Sequence, residues 1–300
     1  MKIKCNIITP MLMHGENTKI TELRPPSIKG AMRFWWRAIH GNLLLKRLIK
    51  KESQNDLFLE YLREEEAKIF GSKEKRSPFR IKIKSNNLEN EKFKILDYED
   101  LIQQDLKIKG LKENEIKKRI SKYQKTKING FVTNQKFEIE ILGDNLEYIK
   151  KIFILSTILG GFGQRSRRGF GKIEITKIDE DDFKFELTKT NIINLIKEIN
   201  PDFDFNIKNN YPFIRQIEIS SKKYSSYKEA LKWIGYYAHK YKDNCIGSAN
   251  PRFASPLYTS VLKINTKYVP IVTTLNIYSK CVNNVKQCIQ KIENFKKDIL

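Results

Sequence analysis

Apolar and polar residues alternate over several short stretches of this chain. Ile3, Cys5 and Ile7 alternate with Lys2, Lys4 and Asn6 and stop at Thr9-Pro10, the pattern of a half-buried strand. The period of two returns at Ile81 and Ile83, at Phe137, Ile139 and Ile141, and at Ile173 and Ile175. It appears again at Ile217 and Ile219, at Tyr258, Leu262 and Ile264, and at Val269, Ile271, Leu275 and Ile277. Helical spacing separates these runs. Ser27 reads as the N-cap of a helix from Ile28 to Leu45, and residues 46–76 read as a charged helix with Leu57, Leu62 and Phe70 inward. A helix starting at Leu146 becomes apolar on every side by Leu155, which predicts burial all round. Leu231, Ile234, Ala238 and Tyr241 mark another helix, and Val282, Val285, Ile289, Ile292 and Ile299 a last one. Residues 98–128, rich in Lys, Glu and Gln and broken by Gly110, read as a helical surface insertion. Residues 179–210, with Pro201 and many Asn and Asp, read as a linker.

The element order is β-α-β-β-α-β with insertions, then β-α-β-β-α. Both halves fit the split βαβ, ferredoxin-like unit. The fold class expected is α+β, with two tandem ferredoxin-like, RRM-like units. The first spans residues 1–180, a linker 181–210 and the second 211–300. The second unit lacks its last strand and a glycine loop of its own.

Composition adds a partner to this picture. The 300 residues carry 57 Lys and Arg against 35 Asp and Glu, a net charge of +22, which attracts nucleic acid or anionic membrane. The Lys, Ile and Asn richness of a biased genome accounts for part of the excess. It accounts less well for residues 1–50, which hold ten Lys and Arg and two acids. Cys5, Cys245, Cys281 and Cys288 form no CxxC pair, so no metal site is expected and the thiols are read as reduced, in an intracellular protein. No cofactor is expected. Asn6, Pro10 and His14 interrupt any secretory core, and the protein is expected to be cytoplasmic.

Two constellations carry chemistry. On the helix within Arg24–Gly41, Lys29, Arg33, Arg37 and His40 fall within a quarter of the circumference at 100° per residue. Ala31, Phe34, Trp35, Ala38 and Ile39 fall opposite, on the expected core side, and Trp36 borders the cationic stripe. With few acids nearby in sequence, the stripe is read as a nucleic-acid contact in preference to an ordinary solvated face. The second constellation is Gly160–Gly171, GGFGQRSRRGFG, with five glycines, three arginines and no acid. It reads as a flexible loop whose bare amides, together with Arg165, Arg167 and Arg168, grip a polyanion. A dinucleotide fingerprint or a phosphate-binding loop runs strand, loop, helix. Here the order is helix, loop, strand, and GK[ST] is absent, so both are excluded. Arg252, entering a strand at Arg252–Leu257, either reaches a ligand or pairs with an acid. His14 and His40 lie near the basic surfaces and are candidates for a general base in metal-independent RNA cleavage, or for simple phosphate binding or capping. His239 reads as structural.

TPMLMHG, LRPPSIKGAMRFWWRA, LGGFGQRSRRGFG and RFASPL follow one another from Thr9 to Leu257. That series resembles the RAMP superfamily of CRISPR proteins, and within it the tandem-RAMP head subunits of type III-B (Cmr) RNA-targeting effector complexes. The resemblance implies a non-catalytic RNA-binding subunit for antiviral defence. It would hold the 3′ part of a guide RNA, help to capture target RNA and dock on other RAMP subunits. It maps RNA contacts onto the first helix, with Lys29, Arg33, Trp36, Arg37 and His40, and onto the loop, with Gly161, Gly163, Gln164, Arg165, Arg167 and Arg168; Arg252, in RFASPL, is a further candidate contact. The alternative is a RAMP-type metal-independent endoribonuclease that processes guide precursors.

Overall fold

The computed structural model describes residues 1–40, 54–124, 127–206, 211–241, 246–249, 252–277 and 285–300. The predicted helix end at Leu45 and Val282 of the last helix lie outside these residues, as do the side chains of Leu57 and Arg252.

In the first half, β1 (Lys2–Ile7) is followed by α1 (Pro25–His40), α2 (Gln54–Phe70) and β2 (Phe79–Lys84). Next come β3 (Asn90–Lys94), α3 (Glu99–Ile108), α4 (Glu113–Gln124) and β4 (Lys127–Phe131), then β5 (Lys136–Gly143), α5 (Leu146–Leu159), β6 (Ile173–Ile178) and β7 (Asp181–Asp182). The main sheet has the order β2-β5-β1-β6-β7, all of it antiparallel. Without the edge strand β7, this is the sheet order of a ferredoxin-like unit. Cys5 faces Phe137 on one side and Ile175 on the other, so the alternating residues share the buried face.

The first helix begins three residues before the predicted start. The carbonyl of Arg24 accepts from Ser27 N (3.0 Å) and Ile28 N (3.2 Å), which places Ser27 inside the first turn. Pro25 and Pro26 fit there because the first-turn N–H groups have no intrahelical acceptor to lose.

The second half contains α6 (Lys189–Ile199), β8 (Ile214–Ile219), α7 (Tyr227–Lys240), β9 (Ser248–Ala249), β10 (Arg252–Phe253), β11 (Leu257–Ile264), β12 (Lys267–Leu275) and α8 (Val285–Ile299). Its sheet has the order β11-β12-β8. Among the described residues β8 is an edge strand of this sheet.

Two segments differ from their sequence reading. The stretch read as a linker holds α6, capped by the Thr188 side chain accepting from Asn191 N at 3.2 Å. Its Ile192, Leu195, Ile196 and Ile199 are buried in the main core. The insertion is docked as well as exposed. Its ribbon pairs Asn90 with Phe131 through to Lys94 with Lys127. Tyr98 and Ile102 pack on Tyr236 of α7, and Tyr236 Oη donates to Asp105 at 2.7 Å.

One core runs through both halves. Trp35, Ile154 and Ile158 share it with Ile217, Tyr258, Leu262 and Ile271. The helix α5 contacts strands of both sheets, which is why its sequence is apolar on every side. The other face of the second sheet is covered by Ala230, Ile234, Cys288, Ile292 and Phe295 of α7 and α8. Cys5 is a free buried thiol, while Cys288 is disulfide-bonded. The latter corrects the reading of four reduced thiols, since bridging depends on Cα proximity that sequence spacing does not reveal. No helix among the described residues is long and apolar enough to cross a membrane.

A buried cation ties β6 to α5. Lys172, 5 % exposed, donates from Nζ to the carbonyls of Thr157 and, at 2.8 Å, Ile158, capping the last turn of α5. Burial pulls its pKa down to about 7. Between that value and the ordinary lysine pKa of about 10.4 the unfolded chain binds more protons than the folded one, so stability rises with pH across this window. In urea titrations from pH 6.5 to 10.5, the wild type should gain up to ~1.4 kcal/mol per pH unit relative to Lys172→Met. Parallel pH profiles for the two proteins would refute the assignment.

Candidate nucleic-acid interface

The glycine-rich segment is a pinned loop, not a flexible one. Phe162 N donates to Gly171 O (2.8 Å), Gly171 N to Pro10 O (2.8 Å) and Gln164 N to Leu12 O (2.7 Å). Thr9 Oγ1 donates to Gly169 O at 2.7 Å and accepts from Lys172 N at 2.9 Å. Phe162 and Phe170 are buried, and Phe162 stacks on Phe153 at 6.0 Å. Several amides expected to be bare are therefore spent on the loop's own closure, and the buried phenylalanines supply the anchoring that the glycine count concealed.

What the loop presents is its arginines. Arg167 donates from Nη1 to Ser255 O, and its guanidinium lies 5.3 Å from the Phe34 ring centre and 5.6 Å from that of Tyr258. Arg168 Nη1 donates to Arg167 O at 3.1 Å. Among the described residues no carboxylate pairs with Arg165, Arg167 or Arg168. Burial lowers the pKa of all three, and Arg168 falls to about 10 with Arg165 and Arg167 adding repulsion. All three remain charged at neutral pH.

Arg167 looks into a groove of about 430 Å³ between the segment after β1, the N-terminal half of α1, the loop and β11. Leu12, His14, Ser27, Phe34, Gly161, Gly163, Gln164 and Tyr258 line it with Arg167. Gln164 is exposed. His14 is buried, and neither ring nitrogen has a protein partner. Among the described residues, the groove thus combines a guanidinium without a carboxylate partner, the half-buried ring of Phe34 and a buried imidazole whose nitrogens have no protein partner. A guanidinium beside an aromatic ring suits a phosphate with an adjacent base. Phe34 and Tyr258 escape the sequence reading as groove residues. Helical position assigns Phe34 to the core, and Tyr258 is one apolar member of a strand.

The cationic stripe of α1 is not in this groove. Ser27, Ala31 and Phe34 face the groove, and at 100° per residue Lys29 and Arg33 lie on the other side of the helix. Lys29 Nζ donates to Phe79 O at 3.1 Å and sits 4.1 Å from the Phe79 ring centre. Burial, then repulsion from Arg33, lowers its pKa to about 8. Arg33 donates to the carbonyls of Phe70 (3.1 Å) and Gly71 (3.2 Å) and pairs with Glu66 at 3.1 Å. Arg37 grips the same carboxylate through Nε and, at 2.8 Å, Nη2. The expectation that few acids lie near the stripe is not met. Glu66, on α2 and 8 % exposed, serves both arginines, a proximity created by the helix-to-helix return.

Trp36 is buried, donates from Nε1 to Tyr148 Oη at 3.0 Å and stacks on His40 at 4.2 Å. His40 Nδ1 lies 2.9 Å from Trp36 O and its Nε2 3.2 Å from Tyr148 Oη. Burial lowers the His40 pKa to about 4, so the ring is neutral at physiological pH and committed to its neighbours. Beside Lys29, Arg76 and Arg80 border a separate open cleft with Pro25 and Pro26. Arg252 lies in β10, paired with Ala249 of β9.

Comparison with known proteins places this arrangement. The family model described as the RAMP superfamily matches residues 4–174. A curated relative, the CRISPR system Cmr subunit Cmr1-2 of Pyrococcus furiosus, is 27% identical over 187 residues, covering 58% of this chain and 93% of the relative. The crystal structure of apo Cmr1 from Pyrococcus furiosus is similar at a TM-score of 0.56 and 19% identity, over 92% of this chain and 87% of that one. A chain of the cryo-EM structure of the type III-B Cmr-beta complex bound to cognate target RNA is similar at 0.59 and 14% identity, over 100% and 99%.

Proposed function

This chain belongs to the RAMP superfamily, and we propose that within it the protein is a non-catalytic RNA-binding subunit of a type III-B CRISPR effector complex. In this reading it contacts the 3′ part of the guide RNA, helps capture target RNA for antiviral defence and docks on other RAMP subunits in the cytoplasm. The relative's name and the similar chain in a target-bound complex support the assignment to such a complex.

The observation that carries RNA binding is Arg167, a desolvated guanidinium between Phe34 and Tyr258 with no carboxylate partner among the described residues. Arg167 takes a backbone phosphate and the half-buried ring of Phe34 takes a base, a sequence-tolerant mode suited to single strands. Gly161 and Gly163 form the wall on which the strand lies, and Gln164 reaches it from the rim. Arg165 and Arg168 extend the contact beyond the loop. Lys29 and Arg252 are secondary contacts. Arg33, Trp36, Arg37 and His40 act indirectly, by fixing α1 against α2 and α5.

His14 lines the groove with both ring nitrogens buried and unpartnered, and a movement that exposes one of them would give the second reading, an endoribonuclease. Incubation with repeat-derived RNA in EDTA separates the two. The binding subunit leaves the RNA intact while retaining it in a salt-dependent complex. Cleavage that disappears in His14→Ala would replace the proposal by the alternative.

A further inference from the structure

The three loop arginines do not share one site. Arg167 faces the groove, whereas Arg165 and Arg168 line a second pocket, of about 190 Å³, between the loop, the β3 end of the insertion and α7. Its walls include Phe93, Tyr98, Tyr227 and Leu231. Two of the other cations here have partners. Lys94 pairs with Glu99 and with Asp97 at 3.8 Å, and Lys232 with Asp100 at 2.5 Å. Lys92, Lys228 and Glu91 stand exposed at the rim. Arg165 and Arg168 have no such match, and each is desolvated, with mutual repulsion lowering the pKa of Arg168 further. Arg165 also holds a left-handed backbone, φ 57°, a conformation that a non-glycine residue keeps only where the surroundings enforce it.

Two uncompensated guanidiniums match the charge of a phosphate monoester, about −1.5 to −2 at neutral pH, better than the single charge of an internal phosphodiester. The pocket has less than half the volume of the groove, which suits a strand end more than a strand passing through. We propose that this pocket holds a terminal phosphate monoester of an RNA strand between Arg165 and Arg168, with the terminal nucleoside against the aromatic wall. The assignment of an RNA end rests on the RNA-binding reading above; the assignment of an anion pocket does not.

The test uses the full chain and one short RNA sequence made with a 3′-phosphate, with a 5′-phosphate, or with hydroxyls at both ends. One phosphorylated end should bind at least ~10-fold tighter than the hydroxyl-ended RNA, the scale of hydrogen bonds between charged groups. In Arg165→Gln/Arg168→Gln that ratio should fall to about one, whatever the absolute affinity. Equal affinity for all three RNAs in the wild type would overturn the end-recognition proposal. If none of the RNAs binds, the reading above fails instead, and inorganic phosphate decides the pocket alone. A phosphate-dependent rise in Tm that the double variant lacks supports an anion pocket, and no rise overturns it. Arg168→Gln alone should raise the Tm of the ligand-free protein by removing a repelled, desolvated charge. A lowered Tm would mark Arg168 as a structural residue and count against the proposal.

Discussion

Gly171→Ala is expected to unfold the loop and to abolish RNA binding. Gly171 has φ +71°, and a Cβ there would stand 1.9 Å from the carbonyl oxygen of Phe162 and within 2.9 Å of its amide nitrogen. Both obstacles are backbone, and the same two residues close the loop through the bond from Phe162 N to Gly171 O. Relief therefore requires breaking that closure and pulling the buried Phe162 away from Phe153. A left-handed non-glycine residue costs ~1–3 kcal/mol and overpacking a similar amount, so a loss of about 2–6 kcal/mol in urea unfolding is expected. Gly30→Ala is the matching control. Gly30 lies within α1 with no atom within 4 Å of the added Cβ, and replacing a mid-helix glycine by alanine should stabilise by roughly 0.5–1 kcal/mol. A Gly171 variant as stable as the wild type would contradict the pinned-loop geometry.

The second large effect falls on binding itself. Replacing Arg165, Arg167 and Arg168 together by alanine should weaken single-stranded RNA binding at least ~100-fold, since each charged hydrogen bond is worth about 1.5–3 kcal/mol. The loss should be similar for unrelated sequences, because backbone contacts carry no sequence information. The slope of log affinity against log salt should flatten by about 1.4, roughly 0.7 for each of the two phosphates, one at Arg167 and one between Arg165 and Arg168, that the protein no longer neutralises. Arg167→Ala alone should account for the largest share, because it is the arginine that faces the groove. Arg167 also bonds Ser255 O, so near-UV circular dichroism must show that the variants keep their packing. Unchanged affinity in a folded triple variant would remove the loop from the interface.

The sequence pattern revealed much of this fold for a physical reason. Strands with one face buried must alternate, and β1, β2, β5 and β6 carry that alternation, whereas β11 and β12, covered on both faces, read as nearly continuous buried runs. The ribbon of β3 and β4 went unread because NEKFK and KINGF hold few apolar residues and pack on one another outside the main sheet. Helix α6 was hidden by the Asn- and Asp-rich flanks of its segment. Ile192, Leu195, Ile196 and Ile199 nevertheless have the spacing of a buried helical face, and Thr188 was readable as its cap.

The site divides along the same line. The loop and its arginines were legible because charge and glycine are local properties. The fate of the α1 stripe was not. Helical periodicity places Lys29, Arg33 and Arg37 on one face, but the pattern alone does not say that Glu66 arrives on a second helix to occupy that face. The side expected to be core carries Phe34 to the groove, where it meets Tyr258, more than two hundred residues away in sequence.

The central claim is that RNA lies in the groove beside the loop and not along the α1 stripe. Photo-crosslinking of RNA to the protein within its assembled complex, with the crosslinked peptides mapped, tests it most directly. The account predicts crosslinks in the peptides holding Leu12–His14, Gly161–Arg168 and Tyr258, with Arg33 and Arg37 protected by Glu66. Crosslinks confined to the Arg33–Arg37 face of α1, with none on the loop or Tyr258, would contradict it.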